Sequence, residues 1–468
     1  MAPKLKLFGT SGIRGVVNQE IFVTDFLKFG STFSKMIGRG PIIVGHDVRE
    51  SSIAFKYAFI AGAISNGTNV FDAGLVPTPA LLFAIKKIGA KGGAMITGSH
   101  AIREVNGIMF FKDTTAEFNI DDEIQFEKLF SSIIKNMPTT QNNFGKLKKI
   151  DALRIYKREI LKITKNMHLD LNKTIVVDPG NGCMSKILGD ILEEIGFHII
   201  RIHDYPNSRF PYRDPYPRRE NLLKLASIVS KYKDAIGVAT DGDGDRAVFV
   251  AENGEILPGD LIGAIFSRKL LESKTRAQGR IVCPVNTSMV INETVENHNC
   301  KVIYTKVGPP YIVDAMVRNN ADFGFEETGK YIWPDLIYYG DSLVSTLKLL
   351  EILSEEKKSL SNIAAEYPKY TQIKKAVPCA TELKENVLKQ IKEFWEQYDA
   401  EQIELNLLDG IKIFFKKRGC WMLFRPSGTE PMFRIYVECK DKRDATELFK
   451  LGYSLLENIL KQMMNRKQ

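Results

Sequence analysis

Short apolar segments alternate with longer amphipathic segments in the first part of the chain. Residues 41–46, 68–71 and 93–97 have the length and composition of strands, whereas residues 51–65 and 79–87 have the apolar spacing of helices. Strands that alternate with helices are typical of right-handed βαβ units, in which neighbouring strands run parallel.

The same plan recurs twice further along the chain. The second copy has strand patterns at residues 173–177, 197–201 and 235–240 and helix patterns at 184–195 and 220–232. The third copy has strand patterns at residues 279–283, 300–304 and 322–325 and helix patterns at 288–297 and 311–319. This repetition predicts three related α/β domains with mixed, mostly parallel sheets rather than one large sheet.

The pattern changes after about residue 370. A helix pattern at residues 382–398 precedes strand patterns at 411–416, 420–424 and 432–438, and an amphipathic pattern at 443–463 follows. Successive strands flanked by helices predict a C-terminal α+β domain with an antiparallel sheet. We therefore predict four domains, with boundaries at residues 1–150, 151–254, 255–369 and 370–468.

A polar, glycine-bearing loop follows the third strand of each α/β copy. These loops cover residues 98–103, 241–246 and 326–330. Ligands of open α/β sheets bind at the carboxyl ends of the strands. Three such ends, one from each domain, are therefore expected to converge on one central cleft.

The second of these loops contains Asp241, Asp243 and Asp245 at every second position, followed by Arg246. Carboxylates this close raise one another's pKa, and a shared divalent cation removes that penalty. An all-oxygen set suits a hard ion such as Mg²⁺ or Ca²⁺. A solvated acidic turn is the plainer interpretation of the same three residues.

The spacing of these carboxylates also resembles a calcium-binding EF-hand loop, with Glu252 at its twelfth position. The sixth position, however, holds Arg246 where that loop needs glycine. The flanking segments 234–239 and 247–250 read as strands rather than helices. A metal loop at the end of a buried strand is therefore favoured over an EF-hand.

Composition limits the remaining possibilities. The 468 residues carry a net charge of +9, but the basic residues are dispersed along the chain and no aromatic-basic platform indicates nucleic-acid binding. No apolar segment reaches membrane-spanning length and the N-terminus lacks a signal-peptide core, so no membrane partner is expected. Six scattered cysteines without a C-x-x-C pair argue against structural zinc or a disulfide framework and favour a reducing, cytoplasmic location.

A second candidate for anion binding lies in the C-terminal domain, in the segment Arg425-Pro-Ser-Gly-Thr-Glu-Pro431, with Arg434 after it. A guanidinium group, two hydroxyls and free backbone N–H groups can together cradle a phosphate. An ordinary hairpin turn rich in proline and glycine is the alternative interpretation.

Five segments, taken in order, resemble the α-D-phosphohexomutase family, which includes phosphoglucomutases, phosphomannomutases and phosphoglucosamine mutases. They are Phe8-Gly-Thr-Ser-Gly-Ile-Arg-Gly15 and the stretches at residues 97–107, 241–246, 324–330 and 425–431. Residues 305–308, Thr-Lys-Val-Gly, are a supporting match, and the resemblance extends from about residue 5 to 450.

The resemblance implies that Ser99 carries a phosphoryl group and that one Mg²⁺ is held by Ser99 and the three aspartates. It implies transfer between the 1- and 6-positions of a hexose phosphate through a hexose bisphosphate. Arg14, His100, Arg246 and Lys330 are the expected catalytic residues, with Arg49 near them. The expected sugar-binding residues are Glu326, Thr328, Thr305 and Gly308, and the expected phosphate-binding residues are Arg425, Ser427, Gly428, Thr429 and Arg434.

The sequence departs from the family pattern at three places. The serine loop reads Thr97-Gly-Ser-His-Ala-Ile102 where T-A-S-H-N-P is usual, and Met109 replaces a lysine often proposed as the general acid or base. The sugar loop ends in Lys330 where histidine is usual. Lys330 and Lys112 are candidate replacements, provided that burial or neighbouring cations lower the pKa of the lysine.

Two alternatives remain beside a mutase acting on glucosamine phosphate or on mannose or glucose phosphate. In a metal-dependent sugar phosphatase, water would replace the second acceptor. A non-catalytic sugar-phosphate-binding protein would keep the scaffold without turnover.

Overall fold

The structure is a computed structural model that describes residues 7–38, 40–135, 144–273, 279–296, 298, 300–398, 401–428 and 430–465. It consists of four domains, and each domain is built on one β-sheet. The predicted fold class is confirmed: three α/β domains have mixed sheets, and the C-terminal domain has an antiparallel sheet. Among the described helices, none has the length and apolarity needed to cross a bilayer.

The first domain has a six-stranded sheet in the order β1-β5-β4-β2-β3-β6. Its elements are β1 (Ile13–Val16), α1 (Val23–Ile37), β2 (Ile42–His46), α2 (Glu50–Ser65), β3 (Val70–Leu75), α3 (Thr78–Ile88), β4 (Gly92–Ile96), β5 (Val105–Lys112), α4 (Ile120–Lys135) and β6 (Leu147–Lys149). Strands β2 and β4 are parallel neighbours and end at the same edge of the sheet. The segments that follow them, which begin at Asp47 and Thr97, therefore lie side by side.

The second domain has a four-stranded sheet in the order β10-β9-β7-β8. Its elements are α5 (Ala152–Thr164), β7 (Thr174–Asp178), α6 (Ile187–Ile195), β8 (His198–Arg201), α7 (Leu223–Val229), β9 (Ala235–Thr240) and β10 (Ala247–Val250). Strands β9 and β10 form an antiparallel hairpin whose turn carries the three aspartates. Since strands flank this loop and Glu252 is bonded to Ser361, the loop is not an EF-hand.

The third domain has a four-stranded sheet in the order β12-β11-β13-β14. Its elements are α8 (Gly259–Glu272), β11 (Arg280–Pro284), α9 (Val290–Glu296), β12 (Lys301–Thr305), α10 (Pro309–Asn319), β13 (Phe323–Glu326), β14 (Lys330–Ile332), α11 (Ser342–Glu356) and α12 (Leu360–Ala365). Strands β13 and β14 form a hairpin in which Glu326 pairs with Lys330. The loop expected to bind sugar is the turn of this hairpin.

The fourth domain has five antiparallel strands in the order β15-β19-β18-β17-β16. Its elements are β15 (Thr371–Pro378), α13 (Lys384–Trp395), β16 (Ile403–Asn406), β17 (Ile411–Phe415), β18 (Cys420–Pro426), β19 (Met432–Cys439) and α14 (Lys442–Asn465). The candidate phosphate loop connects β18 to β19.

Two details differ from the sequence-based expectations. The predicted helix at 220–232 is a 3-10 turn (Arg219–Asn221) followed by the short α7, because the polar residues after Val229 leave no apolar face to bury. A disulfide joins Cys420 and Cys439, contrary to the expectation of no disulfide framework. The β18–β19 register sets these cysteines opposite each other, with Cα atoms 4.5 Å apart, and no cysteine spacing in the sequence reveals that pairing.

The buried core shows how the domains are joined. One continuous apolar cluster contains side chains from the first three domains, among them Leu81, Val238 and Phe325. The fourth domain has its own core. It meets the third domain through a smaller cluster that includes Val285 and Trp421. The first three domains therefore share a core, whereas the fourth is attached through a limited contact.

Candidate active site

The loop after β4 is held in place by two buried charged side chains, Asp47 and Arg49. Asp47 accepts hydrogen bonds from the Thr97 hydroxyl (2.7 Å) and the Gly98 N–H (3.2 Å). Arg49 pairs with Asp47 and donates to the backbone oxygens of Ser99 (3.1 Å) and Ala101 (2.6 Å). These hydrogen bonds hold the backbone around Ser99 in place without a ligand, and the role of Arg49 is therefore structural.

Ser99 itself has a strained backbone and lies at a domain boundary. Its φ of 49° is in the left-handed region, where non-glycine residues are uncommon and often functional. Its hydroxyl lies 3.4 Å from Asp241 Oδ2 and 3.4 Å from His100 Nδ1. The first two domains therefore bring the serine and the aspartate loop into direct contact.

Backbone proximity makes this contact possible. A Cβ atom built on Gly242 would lie 2.5 Å from the Ser99 carbonyl oxygen, which is too close for any side chain. Glycine at this position lets the two loops approach.

The aspartate loop folds around its first carboxylate. Asp241 Oδ1 accepts from the N–H groups of Gly244 (3.1 Å), Asp245 (3.2 Å) and Arg246 (3.3 Å). Asp243 Oδ2 accepts from the Thr78 hydroxyl at 2.6 Å. These bonds hold the three buried carboxylates so that one oxygen of each lies within 4.8 Å of the others.

Some carboxylate oxygens of the cluster lack a hydrogen bond. Within the described part of the chain, Asp243 Oδ1 and both oxygens of Asp245 are buried without a hydrogen-bond partner, and Asp245 Oδ2 has only the ion pair with Lys330. Buried polar atoms normally have partners, so these oxygens need another ligand. Hard oxygen donors at this spacing fit a divalent cation such as Mg²⁺.

The pKa values of the three aspartates reflect their crowding. Burial, Asp245 and Asp243 raise the pKa of Asp241 well above its usual range, and burial and Asp245 raise that of Asp243. Burial also opposes ionisation of Asp245, but Lys330 and Arg246 outweigh it and lower its pKa. Burial and mutual repulsion thus oppose the simultaneous ionisation of the three carboxyl groups.

Two cations partly compensate this charge. Lys330 is buried, its Nζ lies 2.8 Å from Asp245 Oδ2, and it sits 4.0 Å from the centre of the Tyr339 ring. Arg246 Nε lies 3.9 Å from Asp241 and 3.8 Å from Asp245. Lys330 therefore occupies the site as an ion-pair partner of a candidate metal ligand.

The structure separates the other candidate bases. Lys112 pairs with Asp122 at 2.7 Å and faces Gly92 at the beginning of β4, whereas Ser99 follows the end of that strand. Lys112 is therefore at the opposite edge of the sheet, and its proposed role as a replacement base is wrong. Burial, with Arg246 and Arg14 nearby, lowers the pKa of His100 well below its usual range.

The candidate sugar loop adjoins the aspartate hairpin, because Ala247 N–H donates to the Gly329 oxygen at 2.9 Å. Within the loop, the Thr328 hydroxyl donates to Glu326 Oε2 at 3.3 Å. Glu327 is occupied elsewhere, since it accepts from Asn286 (2.8 Å) and pairs with Lys374 of β15. Glu326 and Thr328 are left as the polar pair of this turn.

The Thr305–Gly308 segment has mostly backbone functions. The buried Thr305 hydroxyl donates to the Lys306 oxygen at 2.8 Å. Gly308 has a φ of 138°, and a Cβ on it would lie 2.8 Å from a methyl carbon of Thr10. This glycine lets the third domain approach the loop that begins the first domain.

The fourth domain contributes Arg425, whose Nε lies 2.6 Å from Asp409 Oδ2. The same Asp409 oxygen accepts from the Val307 N–H at 2.9 Å, so it connects the guanidinium group to the third domain. Arg434 faces Arg425 across the β18–β19 register and pairs with Glu430 at 2.7 Å.

Of the remaining phosphate-loop candidates, Ser427 is buried and its hydroxyl accepts from the Glu430 N–H at 3.1 Å. Gly428 is exposed. Thr429 lies outside the described residues.

Three residues that organise the site were not selected from the sequence: Asp47, Thr78 and Asp409. Asp47 directly follows a predicted strand within Gly45-His-Asp-Val-Arg49, so its position at a strand end could have indicated it. Thr78 and Asp409 have no such signal, because their partners are distant in the sequence. Thr78 is 165 positions from Asp243, and Asp409 is 16 positions from Arg425.

Comparisons with known proteins agree with this architecture. Profiles of the phosphoglucomutase/phosphomannomutase family match four consecutive parts of the chain. Alpha/beta/alpha domains I, II and III match residues 5–137, 154–254 and 258–370, and the C-terminal domain matches residues 378–450.

Two archaeal relatives match almost end to end. A phosphoglucomutase/phosphomannomutase of Thermococcus kodakarensis is 35% identical over 465 residues, which cover 97% of this chain and 99% of the relative. A protein of Pyrococcus abyssi, named probable phosphoglucosamine mutase, is 32% identical over 457 residues, with the same coverage.

Solved structures share the fold. A phosphoglucomutase/phosphomannomutase family protein of Burkholderia thailandensis has a TM-score of 0.84 at 21% identity, covering 96% of this chain and 97% of that one. The N-acetylphosphoglucosamine mutase of Aspergillus fumigatus has a TM-score of 0.61 at 13% identity, covering 97% and 96%. With four matching family domains in order and near-complete coverage of its relatives, the chain belongs to the phosphoglucomutase/phosphomannomutase family and is a phosphohexomutase, an enzyme of the isomerase class.

Proposed function

We propose that this phosphohexomutase moves a phosphoryl group between the 1- and 6-positions of a hexose phosphate through phospho-Ser99 and a hexose bisphosphate. The observation that carries the proposal is the 3.4 Å approach of the Ser99 hydroxyl to Asp241. A serine on a rigid, strained loop beside three buried carboxylates is suited to accept and donate a phosphoryl group.

Asp241, Asp243 and Asp245, together with an oxygen on Ser99, would hold one Mg²⁺. The unpartnered oxygens of Asp243 and Asp245 support this ligand set. The solved Aspergillus fumigatus enzyme is described in complex with magnesium. When bound, such an ion supplies Lewis-acid stabilisation of charge on the transferring group.

The surrounding cations favour the same reaction. Phosphoryl transfer depends mainly on positioning and on stabilising negative charge at the oxygens of the transferring group. Arg246 and Lys330 supply two fixed positive charges beside the aspartates, and we assign Arg14 the same role on the first-domain side. His100, with its low pKa, is neutral near pH 7 and can accept a hydrogen bond from Ser99.

The phosphate that does not react must be held at a fixed distance from Ser99. We assign this function to Arg425, Ser427, Gly428, Thr429 and Arg434. Asp409 accepts a hydrogen bond from Arg425 Nε, and this leaves the terminal guanidinium nitrogens of Arg425 for a phosphate. In the same cycle, the sugar must be recognised in both orientations, which suits the carboxylate and hydroxyl of Glu326 and Thr328. Thr305 and Gly308 would shape the neighbouring wall.

The substrate we propose is a glucosamine phosphate or a mannose or glucose phosphate. The Thermococcus kodakarensis relative is named phosphoglucomutase/phosphomannomutase, and the Pyrococcus abyssi relative is named probable phosphoglucosamine mutase. The Aspergillus fumigatus structures contain GlcNAc-6P or glucose 1,6-bisphosphate. Phosphorus NMR on a panel of hexose 1-phosphates will identify the preferred sugar.

Replacing Ser99 by alanine tests the proposal. We expect Ser99→Ala to abolish interconversion, and we expect intact mass to show phosphate on the wild-type protein but none on the variant. Ser131→Ala is the matched control, because Ser131 is exposed on α4 and bonds only its own helix. Near-normal turnover by Ser99→Ala would refute the nucleophile, and stoichiometric release of inorganic phosphate by the wild type would indicate a phosphatase instead.

A further inference from the structure

Glu117 is a buried carboxyl group beside the site that the mechanism above does not use. It lies between β5 and α4 and is 2% exposed. Its Oε1 accepts a hydrogen bond from the Ser11 hydroxyl at 2.6 Å. Its Oε2 is buried and has no hydrogen-bond partner in the described part of the chain. A carboxyl group with one free buried oxygen is unusual unless it exchanges a proton or binds something.

Ser11 links this carboxyl group to the site. It is half-buried, and its Oγ lies 3.6 Å from the Met109 sulfur. The side chains of Arg14 (3.7 Å) and Tyr339 (3.3 Å) contact the same sulfur. The Tyr339 ring in turn contacts Lys330, the partner of Asp245. Three side chains, those of Met109, Tyr339 and Lys330, therefore connect Ser11 to the aspartate cluster.

The reaction needs a proton acceptor, and the other candidates are poorly suited. The hydroxyl that attacks phosphorus must lose a proton, and a base is most effective when its pKa is near the working pH. Met109 cannot accept a proton, Lys112 is at the opposite edge of the sheet, and Lys330 is ion-paired with Asp245. The low pKa of His100 makes it a weak base.

We propose that Ser11 accepts the proton of the attacking sugar hydroxyl while it passes its own hydroxyl proton to Glu117. This inference rests on the phosphoserine mechanism proposed above. The geometry that carries it is the short Ser11–Glu117 hydrogen bond at the border of the site, ending at a buried carboxyl oxygen without another partner.

The step balances in atoms and electrons. The sugar oxygen forms a bond to phosphorus, and the bond between phosphorus and Ser99 Oγ breaks with its electron pair remaining on that oxygen. The sugar proton goes to Ser11, and the Ser11 proton goes to Glu117. In the second half of the cycle, Ser99 Oγ attacks the other phosphate, and the stored proton returns through Ser11 to the sugar oxygen that leaves.

The electrostatic surroundings of Glu117 suit this exchange. Burial raises its pKa to about 7, although Lys330, the Ser11 hydrogen bond and Arg14 oppose the increase. Asp245 on the aspartate loop raises it further, and Glu123 of α4 is the neighbouring acid, with its own pKa raised to about 8 by burial and by Glu117. Glu117 can therefore take up and release a proton near neutral pH.

The test compares the pH dependence of kcat in four proteins: wild type, Glu117→Gln, Ser11→Ala and Glu123→Gln. Glutamine keeps the oxygen that accepts from Ser11 but cannot take up a proton. We expect the wild-type kcat to decrease as the pH falls below about 7. Glu117→Gln and Ser11→Ala should lose 10²- to 10⁴-fold, as general-base removal typically does, and Glu117→Gln should lose the acidic limb of the profile. Glu123→Gln, the matched control, should keep the wild-type rate and the acidic limb of the profile.

The outcomes separate this inference from the proposed function. Intact mass reports phosphate on Ser99 independently of turnover, and thermal melting reports folding. If Ser99 is phosphorylated and folded Glu117→Gln keeps its rate within threefold with an unchanged pH profile, the proton relay is refuted and the phosphoserine mechanism stands. If the wild type never carries phosphate on Ser99, even with a hexose bisphosphate, both are refuted. Ser11→Ala, at a half-buried position, gives the answer if Glu117→Gln does not fold.

Discussion

Replacing Gly242 by alanine tests whether contact between the first two domains sets the rate. The Gly242 backbone lies against the Ser99 carbonyl oxygen, and an added Cβ would be 2.5 Å from it. Gly242 does not have a positive φ, so alanine adds a steric conflict without backbone strain. The conflict is with a backbone atom of a rigid loop, which cannot rotate away.

The expected magnitude follows from that distance. Ordinary contact begins at 3.4 Å, so the aspartate and serine loops must separate by about 0.9 Å. A misplacement of about 1 Å can cost 10²-fold in rate, which corresponds to about 2.7 kcal/mol in the activation free energy. The three aspartates lie on one loop and move together, so they should still bind Mg²⁺, and only the contribution of the Ser99 oxygen to the Mg²⁺ affinity should be lost.

The assay measures kcat by phosphorus NMR and Mg²⁺ affinity by calorimetry on the same preparations. Ser131→Ala is the comparison variant, because Ser131 is exposed on α4 and its hydroxyl donates to the Glu127 oxygen of the same helix. We expect at most a few-fold change in kcat for Ser131→Ala and about a hundredfold loss for Gly242→Ala. A folded Gly242→Ala protein with turnover within threefold of wild type would contradict the reasoning.

Two further predictions concern buried carboxylates. Asp243→Asn removes one of three candidate ligands and should weaken Mg²⁺ binding by about tenfold or more in calorimetry; unchanged affinity would exclude this loop as the metal site. Asp260 has a pKa raised to about 7 by burial and by Glu327, so folding favours its protonated form. That contribution is present below pH 4 and is lost as the pH rises through about 7. Asp260→Asn should therefore melt at a higher temperature than the wild type at pH 8 but not at pH 4. If the variant and the wild type melt at the same temperature at both pH values, the raised pKa of Asp260 is refuted.

Much of the fold could be read from local patterns. The strands at 93–97 and 235–240 were recognisable because buried parallel strands consist of continuous apolar segments. The loops that follow them were recognisable because ligands of open α/β sheets bind in polar loops at the carboxyl ends of the strands. The predicted helix at 220–232 was too long, because amphipathic spacing alone does not show how much apolar surface the sheet can cover.

The partners of the site residues could not be read in this way. Lys112 and Lys330 were both candidate replacement bases in the sequence, and only the antiparallel register of β5 shows that Lys112 is at the wrong edge of the sheet. The Cys420–Cys439 disulfide likewise depends on the register of β18 and β19. A shift of one residue in the β18–β19 register would place the two cysteine side chains out of reach of each other.

The sequence by itself determined which segments become strands and helices and which loops carry carboxylates, hydroxyls and guanidinium groups, because hydrophobic periodicity and turn chemistry are local properties. Only the tertiary structure decided that Thr78 supports Asp243, that Lys330 neutralises Asp245 and that Ser11 is bonded to Glu117. Those contacts join residues 85 to 165 positions apart or in different domains, so they depend on sheet register and domain packing, to which local periodicity is insensitive.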